Sequence, residues 1–207
     1  MQVSLGKSLL PDLMSIVRGY VVRPAQRLVV DSAAVSPDGK ELRTVPTDMS
    51  FVTGRGCHTF ETGSCRWRTT CLSPNNGRFD VGMGRYFGIV HSTEHTKKNG
   101  DYNDRMAYIK CRFAGDEISI LTFNRFKDGH SGESWTLLTP NRSDMTMIDW
   151  MVDLQNKTVH ITVDGHACPW PIFSGMSCLH ECVPYVGLHT HILGKEGATI
   201  RIESEDE

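Results

Sequence analysis

Asp149-Trp150-Met151-Val152-Asp153-Leu154-Gln155-Asn156-Lys157-Thr158-Val159-His160-Ile161-Thr162-Val163-Asp164-Gly165 is the stretch on which the reading of the fold turns. Val159, Ile161 and Val163 recur at period two, which puts them on one face of an extended strand. Asp149 to Leu154 forms the other arm, and Gln155-Asn156-Lys157 connects the two. Asp164-Gly165 follows as a tight-turn pair, because both residue types tolerate positive φ. The pattern specifies an antiparallel hairpin with one buried face.

Working outward, the same grammar repeats. Strands are expected over Arg27 to Val30, Cys65 to Leu72, Arg78 to Met83, Arg105 to Phe113, Ile118 to Phe126, Val183 to Leu188 and Ala198 to Ile202. Ser36-Pro37-Asp38-Gly39-Lys40 and Ser73-Pro74-Asn75-Asn76-Gly77 are turns, with proline presetting φ and glycine free to adopt positive φ. Many short strands between such turns predict an all-β, two-layer antiparallel sandwich. Only the first stretch reads as helix. Leu9 to Val22 has amphipathic character, and Pro11 suits a first helical turn. Residues 1–23 carry Lys7, Arg18 and Arg23 against Asp12 alone, so a mitochondrial presequence is an alternative reading of this extension. The expected organisation is an extension over 1–27, a sandwich over 28–202 and a solvated acidic tail over 203–207.

Composition narrows the function classes. At 207 residues the chain fits one domain, and 39% hydrophobic residues suffice for one core. A net charge of −2 argues against a dedicated nucleic-acid binder, which carries a strongly basic face. No apolar run reaches the 18 residues that a membrane helix needs. The seven cysteines are odd in number and no signal peptide precedes them, so free thiols in an intracellular, cytoplasmic setting are expected.

Several stretches, in order, resemble SPRY/B30.2 domains. Val35-Ser36-Pro37-Asp38-Gly39-Lys40-Glu41-Leu42-Arg43 is similar to the family's opening strand and turn. Phe60-x-x-Gly63-x-x-x-Trp67 and Phe79-Asp80-Val81-Gly82-Met83 resemble its first block. The hairpin quoted above is similar to its second, and Val183-Pro184-Tyr185-Val186-Gly187-Leu188 to its late strand. Ser134-Trp135 resembles a Ser-Trp pair near the middle of the domain. The resemblance spans roughly residues 28–202. It departs from the family where Arg68-Thr69 replaces Glu-Val, Phe79 replaces tryptophan, and Asn156-Lys157 replaces the hairpin glycine. It implies a concanavalin-like sandwich with Trp67, Phe79, Val81, Val159, Ile161, Tyr185 and Leu188 in the core.

The resemblance also implies a non-catalytic module that grips a peptide or loop of a partner protein with loops at one end. The turn after Gly84, the 91–105 excursion, the 127–135 loop and the segment 164–182 are the candidate loops. Arg85, Tyr86, Tyr102, Asn103, Trp135 and Trp170 are the candidate partner-binding residues, since aromatic residues and arginine dominate binding energy at interfaces. Arg85-Tyr86-Phe87 and Asn124-Arg125-Phe126-Lys127 also have the mix that stacks single-stranded bases, so RNA is an alternative ligand. Glycan is another, since lectins share the architecture. Zinc or cysteine chemistry is the weakest reading. Cys178-x-His180-x-Cys182 and His189-x-His191 would each share a strand face, but neither has a standard finger spacing, and no cofactor is expected.

Overall fold

In the computed structural model, the described residues are 26–29, 35–43, 51–61, 63–72, 84–94, 105–114, 116–140, 145–189 and 199–204. The expected N-terminal helix lies outside them, as do the expected strand over Arg78 to Met83 and the core candidates Phe79 and Val81. The described chain forms fifteen strands. These are β1 (Leu28–Val29), β2 (Glu41–Arg43), β3 (Phe51–Gly56), β4 (Ser64–Leu72), β5 (Gly84–His91), β6 (Met106–Ala114), β7 (Glu117–Asn124) and β8 (His130–Ser131). There follow β9 (Trp135–Leu138), β10 (Met145–Asp153), β11 (Thr158–Val163), β12 (His166–Ala167), β13 (Phe173–Ser174), β14 (Cys182–His189) and β15 (Thr199–Ser204). One 3-10 turn, Leu179–Glu181, precedes β14.

The strands build two antiparallel sheets. One has seven strands in the order β1-β3-β14-β5-β6-β7-β9. The other has eight, in the order β2-β15-β4-β10-β11-β13-β8, with β12 beside β11. Inward side chains from both meet in one core. Phe87, Ile89, Ile109, Ile118, Ile120 and Val186 come from the first sheet, and Trp67, Ile148, Trp150, Val159, Ile161 and Ile202 from the second. An aromatic column runs through it. Phe60 stacks on Trp67 at 5.3 Å, and Trp67 on Trp150 at 5.4 Å with the planes 3° apart. The buried indole N–H of Trp150 donates to Thr69 Oγ1 at 3.0 Å, and that hydroxyl donates to the Ile148 carbonyl at 3.3 Å.

The quoted hairpin forms with Trp150 opposite Ile161 and Val152 opposite Val159. Its connection is held by the Asp153 carboxylate, which accepts from the backbone N–H of Asn156 at 2.9 Å and from its side-chain amide at 2.7 Å. Lys157 sits at φ 56°, the left-handed conformation that favours the glycine it replaces. Asp164 (φ 48°) and Gly165 (φ 82°) make the next turn with both residues at positive φ.

The structure corrects the sequence reading in several places. Gly84 does not begin a turn: Gly84–His91 is a central strand. Phe87 and Ile89 enter the core, while Tyr86 and Val90 join Met106, Tyr108, Val183 and Tyr185 in a second buried cluster on the opposite face. A strand buried on both faces shows no alternation of polarity, which is why periodicity missed it. Tyr185 is accordingly buried, but outside the main core. The strand Phe51–Gly56 was missed because Gly54 and Gly56 weaken its propensity. Gly56 is required there, since an added Cβ would lie 2.7 Å from Pro184. Glu203 is no solvated tail: it lies within β15, opposite Arg68 and 2.8 Å from Arg201.

Candidate functional site

Antiparallel connectivity brings the strand ends that flank 57–63, 92–105, 125–134, 154–157 and 168–181 to one end of the sandwich. The turn at 164–165 goes to the opposite end, so the expected loop over 164–182 is split by β12 and β13. The described parts of the gathered end are cross-linked by polar contacts. Arg55 Nη1 donates to the carbonyls of Ser92 and Glu94, the latter at 3.1 Å. His91 points inward from the end of β5, 3% exposed, with Nδ1 2.7 Å from Thr93 Oγ1 and Nε2 against the Glu181 carboxylate. The backbone N–H of Ser92 donates to the Glu181 carbonyl at 2.8 Å. Asp128 accepts from the hydroxyl of Ser177 and from its N–H at 3.0 Å.

These contacts set the electrostatics. The His91 hydrogen bond holds the Glu181 carboxyl below the usual glutamate range, and the charges of His91, His180 and Arg105 act in the same direction. The Ser177 hydroxyl and N–H lower Asp128 likewise. All seven cysteines are free thiols. Burial pushes Cys111, Cys168 and Cys182 up, away from the thiolate that a nucleophile or metal ligand requires.

The Cys178/His180/Cys182 trio does not share a strand face. His180 lies in the 3-10 turn, exposed, 3.3 Å from Glu181 Oε1, while Cys182 is fully buried. His191 lies outside the described residues. Among the described residues, no group of three His, Cys, Asp or Glu side chains is placed to hold a metal ion.

The six candidate partner-binding residues fall in different places. Tyr102 and Asn103 lie outside the described residues. Arg85 is buried and faces inward, opposite Cys111 and Leu188. Tyr86 is buried on the other face, edge-on to Tyr108 at 5.7 Å, with Lys110 Nζ 5.5 Å above its ring. Both are elements of a strand and not of a loop. Trp135 opens β9 on the edge of the seven-stranded sheet. It shares a row with Arg85 through Ile120 and Cys111, three strands away, or about 14 Å at the usual strand spacing.

Trp135 and Trp170 are both placed by one chain crossover. Past Phe126 the chain crosses from one sheet to the other, pairs as β8 with β13, and returns as β9. Both tryptophans flank this crossover, half-buried and packed on the core. Gly132 is the seat of the Trp170 ring. Its N–H donates to the Ile172 carbonyl at 2.8 Å, its carbonyl accepts from Thr122 Oγ1 at 2.9 Å, and an added Cβ would lie 2.6 Å from the Trp170 ring. The Trp170 indole N–H is buried with no acceptor among the described residues. His130, Ser131, Glu133 and Ser134 form an exposed polar rim beside it. Sequence reasoning missed Gly132, Arg55, Asp128 and Glu181. Each acts through a partner distant in sequence, and no local pattern marks such pairs.

No family model matches the sequence, and no curated protein matches it. Solved structures do. The SPRY domain of human HERC1 aligns over 88% of this chain and 96% of its own at 14% identity and a TM-score of 0.50. The TRIM65 PSpry domain aligns over 86% and 89% at 9% identity and 0.52. The carbohydrate recognition domain of Emp46p in its potassium-bound form aligns over 87% and 88% at 11% identity and 0.58. Two stacked antiparallel sheets of this order and extent, matched along nearly the whole of each domain, are a SPRY-like β-sandwich of the concanavalin type.

Proposed function

We propose that the chain is a non-catalytic interaction module that binds a peptide or loop of a partner protein at the corner formed by the 125–134 crossover and the 168–178 segment. One observation carries this reading. Trp170 is seated half-buried on Gly132, and half-buried Trp135 opens the strand that follows the same crossover, beside a polar rim. Rigid aromatic anchors with a wet perimeter are the usual chemistry of a protein interface. The polar cross-links at this end supply preorganisation, which lowers the entropy cost of binding. Tyr102 and Asn103, between β5 and β6 in the sequence, are proposed as further contacts, while Arg85 and Tyr86 support the seven-stranded sheet.

The test is capture from native cell extract by the wild-type chain, by Trp170→Ala and by the Tyr102→Ala/Trp135→Ala double variant. Circular dichroism checks that each is folded. A partner held by the wild type and lost about tenfold or more by both variants supports the site, since truncating a true anchor costs about 2 kcal/mol or more. Equal capture by all three overturns it. The likeness to the Emp46p carbohydrate recognition domain favours a second reading, a glycan ligand at the same end. Binding of free oligosaccharides, weakened by the same substitutions and insensitive to salt, would select that reading. A steep fall of affinity with salt would select RNA instead.

A further inference from the structure

A second set of buried side chains lies on the face of the seven-stranded sheet that the sandwich core does not use. Tyr86, Val90, Met106, Tyr108, Val183 and Tyr185 are each 5% exposed or less. The strand register orders them in three rows across β14, β5 and β6. Gly187, Tyr86 and Lys110 make the first, Tyr185, Gly88 and Tyr108 the second, and Val183, Val90 and Met106 the third. Paired residues share a face, while Phe87, Ile89 and Val186 point the other way into the core. A side chain standing on a sheet is buried only when something lies on top of it.

The eight-stranded sheet is not that cover, since it packs on the opposite face. The Ser92–Glu94 turn reaches one end of the patch. Arg55, in the row of Tyr185, donates to the carbonyls of Ser92 and Glu94, the latter at 3.1 Å. Tyr86 lies four residues of extended chain beyond Val90, about 14 Å further on. Burial also stops sideways. Phe123 on β7 stacks on Tyr108 at 4.9 Å yet is 39% exposed. The covered patch is therefore three strands wide and three rows long, about 10 Å by 14 Å between its outermost Cα positions. One α-helix, about 10 Å across, fits that footprint.

The sequence supplies such a helix in a segment outside the described residues. Over Leu9 to Val22, the side chains Leu10, Leu13, Met14, Val17, Tyr20 and Val21 recur at spacings of three and four, with Asp12, Ser15 and Arg18 off that stripe. As a helix this stretch is about 21 Å long. It also joins the fold beside the patch. The Gln26 N–H donates to Ser204 Oγ at 2.8 Å and its Nε2 to the His58 carbonyl at 2.9 Å, and β1 stands two strands from β14. Arg23-Pro24-Ala25 can span about 10 Å when extended, which matches two strand spacings. The stretch 95–104, which follows the Ser92–Glu94 turn, offers Tyr102 as its single large apolar side chain.

We propose that residues 9–22 form an amphipathic helix whose apolar stripe docks on Tyr86, Tyr108 and Tyr185, so that the outer face of the seven-stranded sheet is an internal docking surface occupied by this chain's own N-terminal segment. The docking is independent of the tryptophan corner, and its failure would leave the function proposed above untouched.

The test uses the full chain with p-benzoylphenylalanine placed at Val17, in the stripe, or at Ser15, off it. After irradiation, cross-linked tryptic peptides are mapped by mass spectrometry. The Val17 position is expected to cross-link within the same chain to β5, β6 or β14, at least fivefold more than the Ser15 position. Leu13→Asp/Val17→Asp should lower the melting temperature by about 5 °C or more. It should also raise the fluorescence of an added anilinonaphthalene sulfonate severalfold, because an apolar patch is laid bare. Cross-linking needs no destabilised variant, so it decides the matter if Leu13→Asp/Val17→Asp fails to fold. Cross-links to another region of the chain, to a second copy or to nothing, equal yields from the two positions, or an unaltered melting temperature would each overturn the proposal.

Discussion

Thr69→Val separates the hydrogen-bonding role of a buried hydroxyl from its packing role. Thr69 is 1% exposed, and its hydroxyl is the acceptor for the Trp150 indole N–H at 3.0 Å. Valine fills nearly the same space but removes the acceptor, leaving a buried donor without a partner. That loss costs about 1–3 kcal/mol. Trp150→Phe removes the donor and about three ring atoms from a site that is 1% exposed, for a cost of about 2–3 kcal/mol from lost burial and residual cavity. In the double variant no donor is stranded, so its cost should stay close to that of Trp150→Phe alone. The two changes should therefore couple by about 1 kcal/mol or more. Urea unfolding of the four proteins by far-UV circular dichroism measures this as midpoint shifts at constant m-value. A double-variant loss equal to the sum of the singles, or a Thr69→Val cost below about 0.5 kcal/mol, would refute the reasoning.

Other outcomes follow from single positions. Lys157→Gly should raise stability by about 0.5–1 kcal/mol, because glycine takes φ 56° without the side-chain penalty; thermal unfolding reads it. Gly88→Ala should cost about 3 kcal/mol or more, or abolish folding, since the new Cβ would lie 2.1 Å from the Ala107 carbonyl oxygen; soluble yield and melting temperature report it. Gly132→Ala should displace the Trp170 ring, giving altered tryptophan fluorescence and weakened partner capture with the sheets intact. Glu181 has its folded-state pKa depressed, so its contribution to stability is present above the unfolded value of 4.5 and fades as pH falls through the folded one. The melting-temperature gap between wild type and Glu181→Gln should therefore be open near neutral pH and close under acid.

What the sequence disclosed and what it hid divide along a physical line. The β10–β11 hairpin was readable because one face is wet and the other buried, so the alternation of Val159, Ile161 and Val163 with Thr158, His160 and Thr162 is written into the chain. The turns were readable because Gly39, Asp164 and Gly165 answer to φ alone. β5 was hidden because both of its faces are buried, and Arg85 looked like a surface residue because its charge gives no hint of an inward orientation. At the candidate site, Trp135 and Trp170 stood out by residue type. The seating of Trp170 on Gly132 depends on a chain crossing between sheets, which nothing local encodes.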